Sequence, residues 1–122
     1  MNDETFLFDT YAIIEIIKGN FNYEPYIDKK IIINNFIFAE LCYNLIKGNY
    51  PNADYFIDKH VRYIVSVKSS IIKEAMKFRY KNKKKKLSMT DCISYFMAQD
   101  LGIKFLTGDK EFEGLDNVEF VK

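Results

Sequence analysis

Four carboxylates stand along this chain where they could share one cation: Asp9, Glu40, Asp91 and Asp109. Asp9 directly follows the short apolar run Thr5-Phe6-Leu7-Phe8, and Asp109 closes Leu106-Thr107-Gly108-Asp109, just after Ile103-Lys104-Phe105-Leu106. Both runs have the brevity and apolar content of buried strands. Ligands of an open parallel sheet bind outside the carboxyl ends of its strands, so the two aspartates are expected at one sheet edge. Asp91 falls in the first turn of a helix opened by Ser88, where the helix dipole favours a carboxylate. Glu40 lies one position off the apolar stripe Ile37, Leu41 and Leu45, on the boundary between core and solvent. Four such acids without a counter-charge would repel one another and retain protons, and a divalent ion relieves that repulsion. Ligation by oxygen alone, without His or Cys, suits Mg²⁺ or Mn²⁺ and disfavours zinc. The chemistry that fits is phosphodiester hydrolysis, in which the ion activates water and neutralises charge on the phosphate.

Each acid also has a purely structural role open to it. Ser88-Met89-Thr90-Asp91 reads equally as a capped helix start, Glu40 as a surface glutamate and Asp109 as a turn residue. Asp9 fits such a role least well, because a carboxylate ending a buried strand must find donors or a cation.

The elements that would position these acids alternate along the chain. Helical spacing of Ile13, Ile14 and Ile17 ends at Lys18-Gly19-Asn20. Ile31-Ile32-Ile33 reads as a second strand, and Ile37 to Ile46 as a helix stopped by Lys47-Gly48-Asn49. A short helix from Pro51 to about Lys59 follows, then a third strand candidate at Tyr63–Val67. Ile71 to Arg79 marks a further helix, and Met89 to Leu101 an amphipathic one with Gly102 as its C-terminal cap. Ile103–Leu106 and Val118–Val121 are strands four and five. Alternation of this kind predicts an α/β layer fold with a mainly parallel sheet.

Composition sets the outer bounds. The 122 residues are 48% hydrophobic and 29% charged, the balance of one folded domain over residues 1–122. A net charge of +1 gives no global attraction to nucleic acid, so any such contact must come from a local patch. No apolar run reaches bilayer-spanning length, and the start Met1-Asn2-Asp3-Glu4 lacks the basic residues of a secretory signal; the cytoplasm is the expected location. Cys42 and Cys92 form no CxxC or Cys/His spacing and read as reduced, buried thiols. The lone His60 reads as a surface or partly buried residue.

In order, Phe6-Leu7-Phe8-Asp9-Thr10, Phe38-Ala39-Glu40-Leu41, Leu87-Ser88-Met89-Thr90-Asp91 and Leu106-Thr107-Gly108-Asp109-Lys110-Glu111-Phe112 resemble the motifs of the PIN-domain nucleases, including the toxin halves of VapBC-type toxin–antitoxin pairs. Each motif is weak alone; four in order, over essentially the whole chain, are fairly specific. The resemblance implies a three-layer fold with a mainly parallel five-stranded sheet flanked by helices, and Mg²⁺- or Mn²⁺-dependent endoribonuclease activity. By motif position it makes Asp9, Glu40, Asp91 and Asp109 the catalytic and metal-site residues. Thr10 and Thr107 match hydroxyl positions that orient those carboxylates or a water, and Glu111 matches an assisting acid. It further implies an RNA substrate, a homodimer and an antitoxin protein that covers or enters the acidic site.

Two other readings stay open on the residues: an RNA- or protein-binding module of this fold that does not cleave, and an RNA-processing nuclease without an antitoxin. A haloacid-dehalogenase-type phosphatase is disfavoured, since its second Asp would fall at Tyr11. A receiver domain would need an Asp after the third strand, and Val65-Ser66-Val67 offers none.

The most biased stretch is Lys81-Asn82-Lys83-Lys84-Lys85-Lys86. Lys83, Lys84, Lys85 and Lys86 lie just before Ser88 and Asp91, hence near the expected site edge, where they would hold RNA phosphates; a solvated helix end is the plainer alternative. Tyr80 beside them would offer a face for base stacking. Tyr23, Tyr26, Tyr50 and Tyr55 fall in segments whose faces the sequence leaves unassigned, and are candidates for a dimer or antitoxin surface.

Overall fold

Two apolar strands at the centre decide the architecture. The computed structural model describes residues 4–122, so the acidic start Met1-Asn2-Asp3 lies outside the described residues. Strand β1 (Thr5–Phe8) pairs in parallel with β3 (Lys104–Thr107), Leu7 opposite Phe105 and Phe8 opposite Leu106. Successive strand side chains point to opposite faces, yet Phe6, Leu7, Phe8, Phe105, Leu106 and Thr107 are all buried. Both faces of the sheet are therefore covered, the condition under which parallel sheets form. β2 (Lys30–Ile32) flanks β1 and β4 (Val118–Phe120) flanks β3, giving the all-parallel order β2-β1-β3-β4.

The helices fill the crossovers. α1 (Thr10–Lys18) and a 3₁₀ turn (Phe21–Tyr26) connect β1 to β2, and α2 (Asn35–Lys47), α3 (Ala53–Val61), α4 (Ser69–Lys81) and α5 (Met89–Leu101) lie between β2 and β3. α1 and α5 both pack on β1 and β3, α4 packs on α5, and α3 on α2. The expected stops hold: Gly19 and Gly102 are left-handed, at φ 81° and 70°, closing α1 and α5. Only glycine takes that conformation without steric cost. Ser88 caps α5, its hydroxyl accepting from the Asp91 N–H at 3.0 Å. Among the described residues no helix is long and apolar enough to cross a membrane.

The expected third strand is reduced to a single bridge. Tyr63–Val67 meets the sheet only at Ile33 and Ile64, through Ile33 N–H to the Tyr63 carbonyl (3.0 Å) and Val65 N–H to the Ile33 carbonyl (2.8 Å). β2 ends there because Asn34 caps α2, its side chain accepting from the Ile37 N–H. The third run has no further backbone to pair with, and the sheet has four strands. Nor do the unassigned tyrosines all face outward. Tyr23 is fully buried in the 3₁₀ turn and donates to the Val121 carbonyl at 2.5 Å, while the Tyr26 hydroxyl donates to Glu119. His60 is buried on α3 with Nδ1 at 2.7 Å from the Phe56 carbonyl, and burial lowers its affinity for a proton. Cys92 is buried and Cys42 half-buried, neither in a disulfide.

Strand order places the site. From β1 the chain moves outward to β2, then crosses back over β1 to β3 on the other side. The order reverses between β1 and β3, the position at which doubly wound sheets open a crevice at their carboxyl ends.

Candidate active site

Asp9 leaves β1 at that crevice and caps α1. Its Oδ1 accepts the Ala12 N–H at 2.7 Å, and its Oδ2 accepts the Thr107 hydroxyl. The carboxyl is 2% exposed, and burial pushes its pKa up to about 7, against those two hydrogen bonds and with further push from Asp109 and Glu40. Asp109 emerges two residues past β3 and caps the 3₁₀ turn Lys110–Phe112 by accepting the Glu111 N–H at 3.0 Å. The Thr107 hydroxyl, while donating to Asp9, accepts the Asp109 N–H at 3.0 Å. One buried hydroxyl thus holds the Asp9 carboxylate and the Asp109 backbone together, just beyond two neighbouring strands.

The helices deliver the other two acids. Thr10, the first residue of α1, donates its hydroxyl to Glu40 Oε1 of α2 at 2.8 Å. Asp91 sits half-buried in the first turn of α5. Burial raises its carboxyl to about 8, followed by the negative charges of Asp9, Asp109 and Glu40. All four acids line one open groove of about 1260 Å³. Among the described residues, none of the four makes an ion pair with a basic side chain. The fold therefore gathers one buried and three half-buried acids whose charge the protein's own basic side chains leave uncompensated.

That donor set fits a hard divalent cation. It is oxygen only, and its electrostatic deficit is of the sign a cation removes. Among the described residues no three acidic, histidine or cysteine side chains are already gathered in ligand geometry. Asp9 and Asp109 each spend one or both oxygens on protein donors, though every carboxylate oxygen keeps a second lone pair. Mg²⁺ typically keeps several waters and takes only one or two carboxylates directly, so an incomplete protein shell agrees with that class of ion.

The remaining sequence candidates separate. Thr10 and Thr107 hold the acids as described. Glu111 contributes its backbone N–H, and its side chain is no part of the groove wall. Lys83 and Lys85 line a second cleft with Met76, Arg79, Tyr80 and Leu87, while Lys84 and Lys86 are exposed outside both depressions. The cations on the groove itself are Lys18, Lys47, Lys110 and Lys122, which the sequence reading missed. A signal for two of them was present. Tyr11, Ile14, Glu15 and Lys18 on α1, and Glu40, Tyr43, Asn44 and Lys47 on α2, all line the groove and follow the spacing i, i+3, i+4, i+7 that places residues on one helix face. Lys122 is identified only by folding: its ammonium donates to the Gly108 carbonyl at 3.1 Å and lies 5.3 Å from the Tyr11 ring centre.

A family model described as the PIN domain matches residues 6–118 of the chain. No curated protein sequence matches it. Solved structures of similar fold include three that match nearly the whole chain. One is a toxin–antitoxin complex from Klebsiella pneumoniae, at 20% identity and TM-score 0.70 over 93% of this chain and 95% of that one. Another is VapBC2 from Rickettsia felis bound to a DNA fragment from their promoter, at 16% identity and TM-score 0.74 over 97% and 99%. The third is VapC20 of Mycobacterium tuberculosis, a sarcin–ricin loop cleaving toxin, at 16% identity and TM-score 0.75 over 98% and 100%.

Proposed function

The chain belongs to the PIN-domain family, and from that premise we propose that it is a Mg²⁺- or Mn²⁺-dependent endoribonuclease, the toxin component of a toxin–antitoxin pair. The observation that carries the reading is the convergence of Asp9, Glu40, Asp91 and Asp109 on one groove with no basic partner of their own. Asp9, Glu40, Asp91 and Asp109 would hold the ion, which when bound supplies charge neutralisation at a phosphodiester and activation of water. The chain's own residues do the positioning. The Thr107 hydroxyl and the Ala12 N–H fix Asp9, Thr10 fixes Glu40, and the Glu111 N–H fixes Asp109. Such preorganisation matters because groups already aimed at developing charge need no reorganisation during the reaction. Lys18, Lys47, Lys110 and Lys122 on the groove wall supply the cations that let a polyanion approach four carboxylates.

The toxin role rests on whole-length fold similarity to proteins named as toxins or toxin–antitoxin complexes, together with the open groove that carries the four acids. An antitoxin protein is accordingly the proposed partner, and the working form a cytoplasmic homodimer. The test is incubation of purified protein with structured and single-stranded RNAs in Mg²⁺, Mn²⁺ or EDTA, beside folded Asp9→Asn and Asp91→Asn variants. Cleavage that requires the ion and disappears in both variants is expected. Cleavage that persists in EDTA or in either variant overturns the acidic-site assignment.

A further inference from the structure

The lysine-rich stretch is not on the catalytic groove; it builds a depression of its own. Between Glu74 and Asp91 the sequence carries seven basic and no acidic residues, leaving the rest of the chain with eleven basic against seventeen acidic side chains. The near-zero net charge thus conceals a strongly polarised molecule. Of the seven, Lys77 pairs with Glu74. Arg79, Lys81, Lys83, Lys84, Lys85 and Lys86 make no ion pair among the described residues. Arg79, Tyr80, Lys83 and Lys85 line a cleft of about 280 Å³ at the end of α4. The Arg79 guanidinium is aimed by its Nε–H, which donates to the Leu87 carbonyl at 2.9 Å. Tyr80 is 69% exposed, with the Lys83 ammonium 4.5 Å from its ring centre. An exposed ring beside cations is the combination that holds a nucleic-acid strand, by stacking on a base and neutralising its phosphates.

We propose that this cleft is a second RNA-holding site, which grips the strand beyond the scissile phosphate while the acidic groove acts on it. The proposal rests on the nuclease reading above. Leu87 lines the cleft and the next residue, Ser88, lines the catalytic groove. Consecutive Cα atoms are about 3.8 Å apart, so the rims of the two depressions adjoin and one strand can run from one to the other. The division has an electrostatic reason. Four carboxylates repel a polyanion, so affinity must be supplied by cations outside them.

The test uses full-length protein and a Lys83→Glu/Lys85→Glu double variant, with folding checked by thermal melting. Binding of a fluorescent single-stranded oligoribonucleotide of about 20 nucleotides is followed in EDTA across a salt series. Each phosphate contact contributes roughly 0.7 to the slope of log K against log salt on single strands. The variant is expected to bind at least ~10-fold more weakly, with a slope smaller by about 1 to 2. In Mn²⁺, the preference for that oligonucleotide over a dinucleotide, as a ratio of kcat/KM, should fall by a similar factor. An unchanged affinity and slope overturn the proposal. So does RNA binding that survives while binding of a poly-glutamate peptide is lost, since the cleft would then be a surface for an acidic protein segment. Absence of hydrolysis by wild type on every substrate would defeat the nuclease reading separately, because the binding measurement in EDTA needs no turnover.

Discussion

Replacing Asp9 by Asn should make the metal-free protein more stable, and increasingly so as pH rises. Burial moves the Asp9 carboxyl from its ordinary 3.8 to about 7. Each tenfold change in proton affinity corresponds to about 1.4 kcal/mol, so an ionised Asp9 without a cation opposes folding by as much as ~4 kcal/mol. Relaxation and water entry reduce such figures, and a gain of roughly 1–3 kcal/mol is expected at pH 8. The sign follows from proton counts. Between about pH 4 and pH 7 the folded state keeps a proton that the unfolded state has released, so stability falls as pH rises through that window. Asn has no such proton, and its amide oxygen still caps α1 by accepting from Ala12. Urea unfolding in EDTA at pH 5 and pH 8 measures the effect as the difference between variant and wild type. That subtraction removes the opposite contribution of His60, whose burial-lowered proton affinity costs stability as pH falls below its ordinary value. Adding Mn²⁺ at about 100 times its Kd should stabilise wild type by about 2.7 kcal/mol and the variant by less. A variant no more stable than wild type at pH 8, or equally favoured at both pH values, would refute the reasoning. Asp9 would then be a satisfied helix cap and nothing more.

Thr107→Val keeps the shape but removes the hydroxyl between Asp9 and Asp109; it should cost about 1–3 kcal/mol in urea unfolding and lower kcat more than it raises KM. Glu40→Gln retains an oxygen for the Thr10 hydroxyl, so stability should stay within ~0.5 kcal/mol while Mn²⁺ affinity falls in calorimetric titration; unchanged affinity would remove Glu40 from the ion's shell. Gly108→Ala would drive a methyl into the Tyr11 ring and to 2.8 Å from the Val121 carbonyl. Backbone cannot yield as a side chain does, and a loss of about 1–3 kcal/mol is expected by thermal melting.

The acids were legible because strand ends are legible. Phe6-Leu7-Phe8 and Phe105-Leu106 are short apolar runs with one aspartate just beyond each, and parallel topology sends both to one edge. Asp91 was legible through the Ser88 cap, which the structure reproduces. A β-branched run records a preference for extended backbone and not the supply of partners, and Asn34 turns β2 into α2 before Tyr63–Val67 can pair beyond one bridge. Tyr23 was illegible for a related reason. A 3₁₀ turn containing Pro25 has neither the 3.6 nor the 2.0 period by which inward faces are read. Sequence distance alone puts the lysines near the acids, but the turn after α4 carries Lys83 and Lys85 to the far side of the Leu87–Ser88 rim.

The two charged regions are built to different tolerances, and that difference has a consequence. Every fixed acid has a buried or half-buried donor: Thr107 and the Ala12 N–H for Asp9, Thr10 for Glu40, the Glu111 N–H for Asp109. The cations Lys83 and Lys85 are exposed side chains on a turn. Stabilising a transition state demands placement to a fraction of an ångström. Neutralising phosphates works through counterion release and tolerates side chains that wander. Loss of an acid's support should therefore appear in kcat as a deficit independent of salt, because its geometry is wrong at every ionic strength. Loss of the lysines should appear in KM and shrink relative to wild type as salt is raised, because a variant with fewer phosphate contacts loses affinity less steeply with salt. Measuring Thr107→Val and Lys83→Glu/Lys85→Glu side by side over a salt series separates the two. If the two deficits changed with salt alike, the acids would be as loosely held as the lysines, and preorganisation would have no part in the site.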